Sequence, residues 1–155
     1  MELKDSFIQT MSEVMPIFRV KPHFKCEEEA ETQFLVSADQ INVLNSFSHA
    51  FQGNILFGFS KALTLKIVSN VKGATVPAID DESQNTIGEI ATLAVNVAMS
   101  KFKAINSIYI SPPVCIRGEN VISMISRVKT TKLFFQVEGD SDLISIAYYI
   151  EPGLG

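Results

Sequence analysis

Leu3, Phe7, Met11 and Val14 stand at helical spacing with polar residues between them, and Pro16 ends the pattern. An amphipathic helix over 3–15 is predicted. In "FRVKPHFKC", residues 18–26, apolar and polar positions alternate, while Pro22 restricts the segment to an edge strand or its approach. The acidic run "EEEAE" at 27–31 reads as a solvated turn, because adjacent like charges repel. In 40–51, Ile41 and Val43 alternate with Asn42 and Asn45, and 53–60 is a dense apolar run; "FQG" between them supplies turn chemistry. A hairpin is expected, its second strand the more buried. Ser60 then suits a helix N-cap, Leu63, Ile67 and Val71 share a face, and Gly73 suits the helix end. After a loop containing Pro77, the acidic residues Asp80, Asp81 and Glu82 suit the start of a third helix that runs to about Lys103. A short strand at 107–110, the pair Pro112–Pro113 and a turn near Gly118 follow. The remainder divides into three apolar segments separated by "KTT" and "EGDSD", an antiparallel meander. Helices and strands are grouped more than they alternate, so the expected fold is mixed α/β (α+β), with helices packed on one largely antiparallel sheet.

The third helix poses the chemical question. On a 3.6-residue period Asn85, Glu89, Thr92, Asn96, Ser100 and Lys103 form one narrow polar stripe. Ile87, Ile90, Leu93, Ala94, Val97, Ala98 and Phe102 fill most of the remaining circumference. Such a stripe either faces water, the ordinary state of an amphipathic helix, or is presented to a partner.

Composition narrows the field. With 155 residues, the chain has the length of one domain, here 1–155, and can bury a core without staples. Apolar residues make up 46% and charged residues 19%, which sets disorder aside. A net charge of −4 argues against nucleic acid as a partner, since phosphate-backbone binding needs clustered cations. No apolar stretch approaches the roughly 20 residues of a membrane span, so no membrane insertion is expected. The opening residues carry Glu2, Asp5 and Glu13 with no basic start before an apolar run, unlike a secretory signal. A cytoplasmic location is the expectation, and Cys26 and Cys115, far apart, read as free thiols.

Other residues carry less. His23 and Cys26 are spaced as a metal pair, yet neither His49 nor Cys115 offers a companion spacing, so no metal site is expected. A Gly-rich phosphate loop and a nucleophile elbow are both missing. The Phe-rich segments "FQGNILFGF" and "LFF" read as core packing.

The succession "FQGNILFGFSKALTLKIVSNVKG", "DDESQNTIGEIATLAVNVAMSKF" and "SIYISPP" resembles the CheC/CheX family of chemotaxis phosphatases, CheX-type members above all, over residues 1–150. In that family an Asp or Ser, three residues, Glu, two residues and Asn lie along one helix face. Glu89, preceded by Gly88, matches the Glu; Asn85 stands at the Asp or Ser position and Thr92 at the Asn. The resemblance implies that the Glu engages a lysine of a phosphorylated CheY-like receiver domain. It implies also that the Asn amide orients water for in-line attack on the aspartyl phosphate. The receiver then supplies Mg²⁺, and this chain needs no cofactor of its own. A homodimer built through a sheet edge is a further implication of the family likeness.

Thr92 is where the motif departs. An amide reaches further than a hydroxyl, and positioning catalysis loses about a hundredfold for a displacement near 1 Å. Asn96, a candidate substitute amide on the same stripe, lies roughly 10 Å from Glu89 along the axis. Two functions therefore stay open: a weakened or altered phosphatase with Glu89 and Thr92 as catalytic candidates, or a non-catalytic adaptor binding a receiver through Asn85, Glu89, Thr92 and Asn96.

Overall fold

A computed structural model describes residues 2–37, 40–102, 108–118 and 121–153, with side chains of 30–37 and 121–129 left aside. The first helix, α1 (Leu3–Val14), buries Leu3, Phe7, Met11 and Val14, as their spacing requires. Pro16 converts the next turn to 3-10 geometry over Met15–Phe18, and Arg19 ends it in the left-handed region at φ 61°.

Seven strands follow among the described residues: β1 (Pro22–Ser37), β2 (Ile41–His49), β3 (Phe51–Phe59), β4 (Ile108–Ile110), β5 (Val114–Arg117), β6 (Val121–Val137) and β7 (Leu143–Pro152). They form one sheet in the order β1-β6-β7-β3-β2-β4, with β5 also paired to β2. Every pairing is antiparallel. Helices α2 (Lys61–Lys72) and α3 (Asp81–Phe102) separate the β2–β3 hairpin from the later strands. This is the expected mixed fold, and Pro22 begins an edge strand where its missing N–H costs the ladder nothing.

Four local expectations need correction. The "EEEAE" run is strand, not turn: it lies within β1, paired to β6 with Glu27 opposite Leu133 and Glu29 opposite Thr131. Glu27, Glu28 and Glu29 are nevertheless exposed, because an edge strand leaves carboxylates in water while its backbone is paired. "KTT" likewise runs through β6 without a break, since it lacks the Gly, Asn or Pro that turns use and Thr suits a strand. The tail therefore holds two strands, not three. At the first hairpin, "FQG" belongs to β3; the chain reverses at His49, whose φ is 83°, and Ala50. On α2 the buried face is Leu63, Thr64, Ile67 and Val68, while Val71 in the last turn is exposed. The short strand β5, which pairs with β2 just after the two prolines, is an addition to the expected elements.

The remaining signals act as read. Ser60 Oγ accepts from the Leu63 amide at 3.0 Å, and Gly73 closes α2 at φ 69°. The second strand of the hairpin is the more buried. Phe57, Phe59 and Phe135 are enclosed in the core, where Phe7 meets Phe57 edge-on at 6.3 Å and Tyr148 at 5.7 Å.

One contact is intolerant of any side chain. A Cβ on Gly53 would stand 1.9 Å from the Tyr149 carbonyl oxygen across the β3–β7 ladder. Gly53→Ala must therefore push two central strands apart, and we expect it to lower unfolding free energy by about 3 kcal/mol, read from the urea midpoint. An unchanged midpoint would contradict the pairing of Gly53 beside Tyr149.

Candidate functional site

The site is built on α3. Asp80 caps this helix: its Oδ1 accepts from the Ser83 amide and from Ser83 Oγ, both at 2.7 Å. Those bonds hold the Asp80 carboxyl below the usual range, with a smaller contribution from Lys72. Lys72 also pairs with Glu82 at 2.9 Å, joining the end of α2 to the start of α3. Towards the core α3 turns Ile87, Gly88, Ile90, Ala91, Ala94, Val95, Ala98 and Met99.

The exposed face differs from the predicted stripe by a rotation of about 30° around the helix. Asn85 and Glu89 are exposed as expected, and so is Ser100. Leu93, expected in the apolar surround, is 42% exposed and shares the face with Glu89, one turn before it. Val97 is only half-buried. Thr92 moves to the margin, half-buried, and Asn96 is half-buried with its Nδ2 donating to the Thr92 carbonyl at 2.9 Å. The Asn96 amide is thus engaged within its own helix. Lys103 lies outside the described residues.

Beside this face runs the segment between β4 and β5. A cleft of about 410 Å³ is lined by Gln84, Asn85, Gly88, Glu89, Pro113 and Cys115. Pro113 packs over the helix at Gly88, where a Cβ would meet Pro113 Cγ at 3.4 Å, an ordinary contact. Cys115 is half-buried, and that burial pushes its thiol up from the ordinary range.

Behind Thr92 lies a residue that strand alternation should have singled out. Ile41, Val43, Asn45 and Phe47 occupy successive inward positions of β2, and Asn45 is fully buried among them. Its Nδ2 donates to Thr92 Oγ1 at 3.0 Å and to the Ser111 carbonyl at 3.2 Å. Ser111 is in turn tied to β2: its amide donates to the Ser46 carbonyl at 2.8 Å, and its Oγ accepts from the Ser46 amide at 2.9 Å. Strand, helix and proline segment thus converge on one carboxamide. Four of the expected positions, Asn85, Glu89, Thr92 and Asn96, lie along 12 residues of one helix; Asn45, Leu93 and Pro113 join them from outside the motif. Among the described residues no group of three His, Cys, Asp or Glu stands together to hold a metal ion.

Comparison with known proteins bears on this geometry. A family model described as "Chemotaxis phosphatase CheX" matches residues 41–137, more than half of the chain. The chain belongs to the CheX family. The match spans Asn45, all of α3 and the Ser111–Cys115 segment. Among solved structures, the chemotaxis protein CheX from Desulfovibrio desulfuricans is similar with a TM-score of 0.82 at 13% identity, covering 97% of this chain and 100% of that one. A putative chemotaxis protein from Desulfovibrio vulgaris Hildenborough gives 0.79 at 14% identity, covering 97% of each chain. A CheX–CheY–BeF₃–Mg²⁺ complex from Borrelia burgdorferi gives 0.69 at 15% identity, with 96% of this chain and 95% of that one covered. No curated protein matches in sequence. Among the described residues of this CheX-family chain, no helix is long and apolar enough to cross a membrane.

The cap makes a pH prediction. Because the folded-state Asp80 pKa lies below its ordinary 3.8, its contribution is complete above that value and is lost as pH falls through the lower one. Asp80→Ala should be less stable than wild type at pH 6, with the gap narrowing below pH 3.8 in urea titrations. A gap that widens on acidification would contradict the cap.

Proposed function

We propose that this protein docks on a phosphorylated CheY-like receiver domain through the exposed face of α3 and shortens the life of its aspartyl phosphate weakly. The observation that carries the reading is Glu89, exposed at the mouth of the Pro113 cleft, within the part of the chain that matches the CheX family. Glu89 is free to meet a cation on a partner, and Leu93 offers apolar area one turn away. In the hydrolysis a water oxygen bonds to phosphorus, the bond from phosphorus to the aspartyl oxygen breaks, and the carboxylate stays with the receiver. Inorganic phosphate leaves with one proton of the water, and the other passes to solvent. Positioning is the whole of this chain's part, with Glu89 fixing the partner and Thr92 facing the water. Asn85 and Asn96 flank that contact. A cytoplasmic homodimer, joined along a sheet edge, completes the proposal; the strand order ends at β1 on one side and β4 on the other.

A second reading has its own support. Thr92 is half-buried, and its hydroxyl reaches less far than the carboxamide that the family motif carries. On that ground the protein is a receiver-binding adaptor without catalysis.

The lifetime of the acyl phosphate on a CheY-like receiver separates the two. The proposal expects wild type to shorten it, Glu89→Ala to remove the effect, and Thr92→Asn to speed hydrolysis by about tenfold or more. Activity confined to Thr92→Asn favours the adaptor. Absence of receiver binding by wild type contradicts both.

A further inference from the structure

The bond between Asn45 and Thr92 limits where the Thr92 hydroxyl proton can lie. The same Asn45 side-chain atom lies within hydrogen-bond distance of Thr92 Oγ1 and of the Ser111 carbonyl oxygen. A carbonyl only accepts, so that atom must be the amide nitrogen and the carboxamide has one orientation. Thr92 Oγ1 therefore receives a proton from Asn45, and its own proton points elsewhere.

Two other helical threonines give that proton to the carbonyl four residues back. Thr64 Oγ1 donates to the Ser60 carbonyl and Thr86 Oγ1 to the Glu82 carbonyl, each at 2.9 Å. Thr92 Oγ1 differs from these in accepting a bond from a buried side chain. One lone pair is occupied, leaving one proton and one lone pair. Those are a donor and an acceptor on adjacent directions, the same pair of functions that a carboxamide offers, at shorter reach.

We propose that Asn45 is a positioning residue, which holds the Thr92 hydroxyl with its proton turned towards the docking face. The inference rests on the receiver-docking reading above and deepens it: the strand behind the helix compensates in part for the missing amide on the helix. Asn45 is fully buried and touches no partner itself, so it acts only through Thr92. Its second bond, to Ser111, ties the same carboxamide to the segment that forms the other wall of the Glu89 cleft. Docking and hydroxyl orientation are thereby set by one side chain.

The test has a receiver-free arm and a receiver arm. In the free protein, three-bond couplings to the Thr92 methyl report its χ1. The proposal expects one rotamer in wild type and either a different rotamer or averaging in Asn45→Ala. In the second arm, a beryllofluoride-loaded CheY-like receiver gives Kd, and the same receiver carrying acyl phosphate gives the hydrolysis rate. Asn45→Ala and Thr92→Val should each lower the rate about tenfold while Kd changes less than about threefold, and the double variant should be no slower than either single one. A merely structural Asn45 would give independent, multiplying losses and leave Thr92 χ1 where it is, which overturns the proposal. If Asn45→Ala does not fold, the wild-type couplings decide, and averaging in wild type refutes it. A wild type that does not bind the receiver defeats the docking reading instead, while the coupling arm still judges the role of Asn45.

Discussion

The site depends on how α3 is held between α1 and the sheet. Ala91, Ala94 and Ala98 present small side chains to the core, which lets the helices approach closely. Ser6 of α1 uses that closeness to donate from its Oγ to the Ala98 carbonyl. At the other end Asp80 caps the helix, and midway Asn45 reaches it from β2. A helix pinned at its start, middle and end has its rotation fixed. Its remaining face, with Asn85, Glu89 and Leu93, is then presented to water as a rigid surface.

Rigidity matters because the proposed chemistry is positional. In the proposed function the receiver would bring the phosphoryl group, and this chain would contribute where Glu89 and Thr92 stand relative to one another. Residues three apart on a pinned helix keep that spacing. The cleft beside them is equally constrained: Ser111 is bonded to β2 through both its amide and its hydroxyl, and Pro113 sits against the helix at Gly88. The long β1–β6 ribbon lies at the opposite edge of the sheet from β4 and carries exposed glutamates. Those charges discourage further strand pairing there unless a partner supplies cations.

Much of the architecture could be read from periodicity and punctuation. Ser60, Gly73, Pro16 and Pro22 act locally, so their effects needed no knowledge of the fold. The errors came where tertiary pairing overrides local chemistry. Glu27–Glu29 look like a turn until β6 supplies their backbone partners, and "KTT" looks like a break until β1 does the same. For α3, the polar stripe was visible but its rotation was not, because Leu93 and Thr92 differ by about 100° and only packing decides which one faces out. Asn45 was overlooked as an outward polar residue. Counting by twos from Ile41 and Val43 places it inward, on the side of Phe47, and a buried amide at such a position calls for partners. Those partners, Thr92 and Ser111, are 47 and 66 residues away and invisible to any local pattern.

The central claim is that the α3 face is where a receiver sits. Backbone amide shifts of the labelled protein, recorded as a beryllofluoride-activated CheY-like receiver is added, test it most directly. Perturbations are predicted to centre on Asn85, Glu89, Leu93 and Asn96 and on the Ser111–Cys115 segment, with the β1–β6 ribbon silent. Perturbations confined to that ribbon or to α1, with α3 unmoved, would contradict it.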